Sequence, residues 1–314
     1  MNKSSRKFFI FLIIILAVMV MASCQQSREA PLHDNKLRVI ATIFPVYDFA
    51  RIIGGEKVKV SMLLPPSTDA HNFEPRPEDI IKISKSDIFL FANFEMEQWA
   101  YRIIKTAAEN TNMLAVETGS GTILLPSSEA ADKENNHSKF DPHIWLDLDN
   151  AQKMVDNIAT AFINRDSRSS DFYLNNARAY KLKLLEMDKK YQQGLAACRT
   201  KVILHAGHWA FAYLANKYNL KYVAAYTVSA DSEPSPQKIL SLIEQVKTQS
   251  IPYIYYEDLV APRLAQTIAE ETGAGLLKLH NGHNISKEDI KRGISFLTMM
   301  DANLANLKLG LRCR

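Results

Sequence analysis

The feature that most constrains this chain is an alternation that stops and then resumes. Short runs rich in Val, Ile and Phe, at Arg38–Thr42, Val58–Leu64, Ile88–Phe91 and Met113–Val116, are separated by amphipathic stretches near Tyr47–Ile53, Pro77–Ser84 and Glu97–Asn110. Strands alternating with helices in this way predict a parallel sheet covered by helices on both faces. After Asp149 the pattern turns helical for some fifty residues: Ala151–Ile163, then Ser170 to about Ala197, with Leu174, Ala177, Tyr180, Leu184 and Leu185 roughly on one face. Alternation then returns, with strands at Val202–His205, Tyr222–Tyr226, Tyr253–Tyr256 and Leu276–Leu279 and a last helix from about Lys287 to Leu309. The simplest fold is α/β with two lobes: residues 37–168, a linking helix over 169–198, and residues 199–314. A length of 314 residues agrees with two domains of ordinary size.

The N-terminus sets the compartment. Lys3, Arg6 and Lys7 precede an apolar run from Phe8 to Ala22. Fifteen residues of helix reach about 22 Å, short of a hydrocarbon core of about 30 Å, which suits a signal peptide better than a membrane span. The run ends in Met21-Ala22-Ser23-Cys24, similar to the lipobox of bacterial lipoproteins despite Met21 where Leu is usual. This resemblance implies cleavage after residue 23, acylation of Cys24, and a polar tether over 24–36. The protein is then expected to be extracytoplasmic and lipid-anchored, in a periplasm or at a cell surface. Removing three cations from a formal charge of +4 leaves +1, which argues against binding nucleic acid. Cys198 and Cys313 would lie in an oxidising compartment, where pairing is permitted but not dictated.

Histidines fall at strand ends. His71 follows the second strand, His143 lies in Asp141-Pro142-His143-Ile144-Trp145, His208 is read as opening the helix after the strand ending at His205, and His280 and His283 follow the last strand. Ligand sites in open parallel sheets form beyond the carboxyl ends of strands. Two candidate positions per lobe therefore point to a cleft between lobes, and neutral imidazole is a good zinc ligand. His33 and His137 read as bystanders in the tether and in a polar loop over 121–139, and His205 as a neighbour of the site.

Three segments together carry a family resemblance. Ala70-His71-Asn72-Phe73-Glu74-Pro75, Asp141-Pro142-His143-Ile144-Trp145-Leu146 and Gly207-His208-Trp209-Ala210-Phe211-Ala212-Tyr213-Leu214 resemble the ligand segments of the cluster A-I metal-binding proteins of ABC importers, the zinc and manganese solute receptors. Glu257 resembles a recurrent acidic residue of that family, and the likeness runs from Leu37 to the C-terminus. It implies two four-stranded parallel-sheet lobes bridged by a long rigid helix, with metal in the cleft. It also implies a monomeric receptor serving an ABC permease and its ATPase, with no catalytic residues.

The chain departs from the family after its last strand, where many members place an aspartate. By spacing His280 takes that place, whereas His283-Asn284 resembles a subgroup; the two compete for the fourth ligand, with His283 preferred. A set of imidazoles suits Zn²⁺ better than Mn²⁺ and would also bind copper. Asp69, Glu74, Asp141 and Asp147 are candidates for orienting the rings. The rival functions are a metal-dependent extracytoplasmic hydrolase and a lipoprotein adhesin. The chain has no His-Glu-x-x-His and no Gly-x-Ser-x-Gly, which disfavours the hydrolase.

Overall fold

A computed structural model describes residues 36–108, 111–127, 139–228, 234–257, 262–283 and 285–314. The expected signal peptide, Cys24, the tether, His33, His137 and most of the polar loop lie outside these residues. Among the described residues no helix is long and apolar enough to cross a membrane.

The first sheet is formed by β1 (Leu37–Ala41), β2 (Val58–Met62), β3 (Ile88–Phe91) and β4 (Leu114–Glu117), in the order β2-β1-β3-β4. The second comprises β5 (Val202–His205), β6 (Lys221–Ala224), β7 (Tyr253–Tyr256) and β8 (Gly275–Lys278), in the order β6-β5-β7-β8. All pairings are parallel, with Val39 opposite Ile88 and Ile88 opposite Leu114 in the first sheet, and Val202 opposite Lys221 in the second. The strand β3, Ile-Phe-Leu-Phe, is buried along its whole length, as a central strand covered on both faces requires. The expected pair of four-stranded parallel sheets is the fold observed.

Helices α1 (Phe44–Gly54), α2 (Pro77–Ser84) and α3 (Ala100–Ala108) connect the first four strands, and α4 (Leu148–Arg165) leads to the 27-residue α5 (Ser170–Ala196). The second sheet carries α6 (Ala212–Lys217), α7 (Pro236–Thr248) and α8 (Pro262–Thr272), followed by α9 (Lys287–Lys291) and α10 (Phe296–Gly310). The buried stripe of α5 is Tyr173, Ala177, Tyr180, Leu184, Met187, Tyr191 and Leu195, steps of three and four residues along one face. Leu174 and Leu185, expected on that face, are 41% exposed. One apolar cluster runs from Val39 and Phe49 of the first lobe through this stripe to Tyr213, Phe296 and Leu307 of the second. The long helix is thus the shared wall of a continuous core.

The last helix is two helices, not one. Gly293 has φ +69°, and Ser295 caps α10 by accepting from the backbone N–H of Thr298 at 3.2 Å. A left-handed glycine followed by a serine cap stops one helix and starts the next. Cys198 and Cys313 are joined by a disulfide that fastens the C-terminus to the end of α5.

Candidate metal centre

The strand order 2-1-3-4 has its switch point between the two central strands, where connections leave in opposite directions and open a crevice. In the second lobe these are β5 and β7. His208 lies in the loop after β5 and Glu257 directly follows β7, so topology alone brings the pair together. Glu257 Oε1 accepts from the backbone N–H of His208 at 3.0 Å and lies 2.6 Å from its Nδ1. In the first lobe, His143 sits in the segment between β4 and α4. Asp141 Oδ1 accepts its backbone N–H at 2.9 Å and lies 2.7 Å from Nδ1. In both cases the carboxylate oxygen is placed to accept a hydrogen bond from Nδ1–H, the tautomer that leaves the Nε2 lone pair for a metal. The two Nε2 atoms face each other across the lobes at 3.2 Å.

His71, from the loop after β2, and His283, from the loop after β8, complete the group. One ring nitrogen from each of His71, His143, His208 and His283 lies within 4.8 Å of the others. The six distances between ring centres run only from 5.1 to 5.5 Å. Four points so nearly equidistant are the corners of a tetrahedron. An imidazole bound at 2.0–2.1 Å puts its ring centre about 3.2 Å from a zinc ion, and tetrahedral corners at that radius are about 5.2 Å apart. The rings are therefore spaced as zinc would space them.

His280, the rival fourth ligand, is not in the cluster. Its backbone N–H and C=O are held by the Asn303 side chain at 2.7 and 2.8 Å. Two residues on, Gly282 takes φ +93° and turns the chain so that His283 enters the cleft. A Cβ at Gly282 would stand 3.0 Å from Trp145 Nε1 and 3.1 Å from Met299 Cε, so the turn also needs the absence of a side chain. Among the described residues neither ring nitrogen of His283 finds a hydrogen-bond partner although both are buried, the state of a ring built for a ligand.

Burial and the other rings of the cluster push His143 and His283 well below the ordinary imidazole pKa. Burial also opposes charge on His208, but the adjoining Glu257 carboxylate outweighs it and holds that pKa above 6.5. Burial lifts the Asp141 carboxyl to about 8. Glu257, held below the ordinary carboxylate range by His208 against the effect of burial, keeps a negative charge one hydrogen bond removed from the ligands, and Asp141 adds a second once a bound cation offsets its burial.

The other candidate acceptors have partners of their own. Asp69 receives the backbone N–H of His71 at 3.0 Å, Glu74 pairs with Arg102 at the surface, and Asp147 caps α4 through Asp149 N. His205 lies beneath the site, with Nδ1 3.1 Å from the carbonyl of His208, and burial lowers its pKa to about 4. His208 does not open a helix, because α6 begins only at Ala212. Asn281, Tyr213 and the orienting role of Glu257 went unread in the sequence. Of these, Glu257 and Tyr213 lie at positions that share in the family resemblance, without their roles being readable from it.

Two parallel-sheet lobes with convergent imidazoles in the cleft define the class of two-lobed metal-binding proteins. Within that class, residues 39–310 match the family described as ZnuA, zinc-uptake complex component A, periplasmic, and the chain belongs to it. It is 33% identical over 309 residues, 95% of its length, to the zinc-binding lipoprotein AdcA of Streptococcus pneumoniae R6, and spans 60% of that protein. It is 31% identical to the high-affinity zinc uptake system protein ZnuA of Bacillus subtilis 168, covering 94% of this chain and 95% of that one. The Zn(II)-bound ZnuA-like domain of S. pneumoniae AdcA superposes with a TM-score of 0.77 at 32% identity, over 88% of this chain and 99% of that one. The laminin-binding protein Lmb of Streptococcus agalactiae, described as an adhesin with metal-transporting activity, gives 0.78 at 26%, with the same two coverages.

Proposed function

We propose that this chain captures Zn²⁺ between its lobes through His71, His143, His208 and His283 and delivers it to the permease of an ABC importer. In this reading it works outside the cytoplasm as a monomer anchored through Cys24, with residues 37–168 and 199–314 as its metal-binding lobes, and it catalyses no reaction. The near-regular tetrahedron of four imidazoles carries the proposal. Imidazole favours zinc over manganese, which prefers oxygen donors. The family description and the zinc-bound relative support the same cargo.

Capture follows from the geometry. His143, His208 and His283 are at most 1% exposed, whereas His71 is only half-buried and meets the arriving ion. Asp141 and Glu257 keep two rings in the tautomer that offers Nε2, so little reorganisation is needed on binding. Both nearby carboxylates are already engaged with imidazole. A hydrolase would need one of them as a base and an open coordination position for water.

The test is metal analysis of protein purified without added metal, followed by zinc titration with Mn²⁺ as competitor. Zinc is expected to be present and to resist displacement by Mn²⁺. His143→Ala is expected to weaken zinc by at least about a hundredfold while the protein stays folded, given that orienting groups alone account for 10–100-fold. Wild-type affinity in this variant would remove His143 from the site.

A further inference from the structure

Trp145 makes a contact that chelation by four imidazoles does not itself require. It follows His143 by two residues in the first lobe and is fully buried, yet its indole N–H donates at 2.7 Å to the backbone carbonyl of Asn281 in the second lobe. Asn281, 2% exposed, in turn donates its side-chain amide to Glu257 Oε2. The other oxygen of Glu257 holds both the backbone N–H and the ring of His208. A line of hydrogen bonds therefore runs from the first lobe through Asn281 and Glu257 to a ring of the second. Gly282 makes the approach possible, and His283 lies one residue further along the same loop.

The bracing is reciprocal. Tyr213, on α6 of the second lobe, donates its hydroxyl at 2.9 Å to the backbone carbonyl of Asp141, whose carboxylate orients His143 in the first lobe. Each of the two facing rings is thus steadied from the opposite lobe.

We propose that Asn281 is a positioning residue that couples the closed arrangement of the lobes to zinc affinity. Its backbone is pinned by Trp145, and its amide occupies Glu257 Oε2 so that Oε1 stays on His208. Parting the lobes at Trp145 frees Asn281, lets Glu257 turn, and loosens His208, so release accompanies opening with no competing ligand. This inference rests on the four-histidine zinc site proposed above.

A double-mutant cycle on the full chain tests it, with zinc affinity read by competition against a chromogenic chelator. Trp145→Phe and Glu257→Gln are each expected to weaken zinc about tenfold, the scale for groups that orient metal ligands. Together they should lose little more than the worse single variant, because the second change acts on a line already broken. Losses that multiply to about a hundredfold overturn the coupling. Asn281→Ser paired with Glu257→Gln completes the same cycle with the same reading if Trp145→Phe does not fold. Asn281→Ser is also expected to speed zinc loss into excess chelator about tenfold, and an unchanged rate counts against the proposal. Wild-type protein that binds no zinc rejects the metal site itself, whereas wild-type binding with multiplying losses rejects only the coupling.

Discussion

His208 differs from the two other fully buried rings of the cluster in its relation to protons. Glu257 holds its pKa above 6.5, whereas burial and neighbouring imidazoles keep His143 and His283 neutral. Zinc requires a neutral Nε2, so among these three rings proton competition concentrates on His208. The proton's hold is complete below that raised pKa and is lost as pH rises through it. Zinc affinity is therefore expected to level off above the raised pKa of His208 and to fall about tenfold per pH unit below it, the slope for one competing proton. Titrations at pH 7.5 and 5.0 that return the same Kd would contradict this. At this scale His71, His143 and His208 were legible because each sits in a segment whose neighbours also match. The choice between His280 and His283 was not legible, since both belong to one loop and only its path through Gly282 separates them.

At the scale of elements, the segment from His208 to Phe211 shows why a helix expected there does not form. Its backbone groups are already engaged: His208 N with Glu257, Trp209 N with Thr227 O at 3.0 Å, and Ala210 N with Tyr222 Oη at 3.1 Å. Tertiary partners thus replace the helical ones, and His208 is fixed more rigidly than a fraying helix end would allow. Gly207 belongs to this design, because a Cβ there would collide with Glu257 Oε1 and the His205 ring. Gly207→Ala is accordingly expected to displace Glu257 and weaken zinc about tenfold with the fold retained. Unchanged affinity by chelator competition would show that Glu257 does not depend on that approach. Strand positions were legible within a few residues because a run such as Ile88–Phe91 is apolar throughout. The exposure of Leu174 and Leu185 was not, because α5 follows a face of alternating three- and four-residue steps that both just miss.

At the scale of the molecule, three ties besides those of Trp145 and Tyr213 hold the lobes in register among the described residues. Asp48 of α1, fully buried, accepts the backbone N–H of Phe296 at 2.9 Å, placing a carboxylate of the first lobe on the N-terminus of α10. Lys217 at the end of α6 reaches Asp147 at 3.1 Å and Asp149 at 2.5 Å at the start of α4, and lies 3.7 Å from Asp188 of α5. The apolar cluster along α5 is the third. The disulfide adds a chain constraint near the amino-terminal end of the central strand β5, at the end of the strands opposite the histidine loops. It joins residues 115 apart, and removing a link of that span costs about 2–5 kcal/mol. Cys198→Ser with Cys313→Ser is expected to lower the melting temperature by about 5–15 °C and leave zinc affinity within about twofold. A large loss of affinity would mean that the far ends of the strands are coupled to the cleft.

The sequence by itself determined the two-sheet architecture and the linking helix, because those depend on the period of apolar residues, which is local. It also singled out three of the four clustered histidines, because their segments, taken together, resemble the ligand segments of one family. Only the tertiary structure decided that His283 and not His280 enters the cleft, that Cys198 meets Cys313, and that Glu257 and Asn281 stand behind His208. Those outcomes depend on which loops a switch point brings together and on one left-handed glycine. Contacts between residues far apart in the chain leave no periodic trace in it.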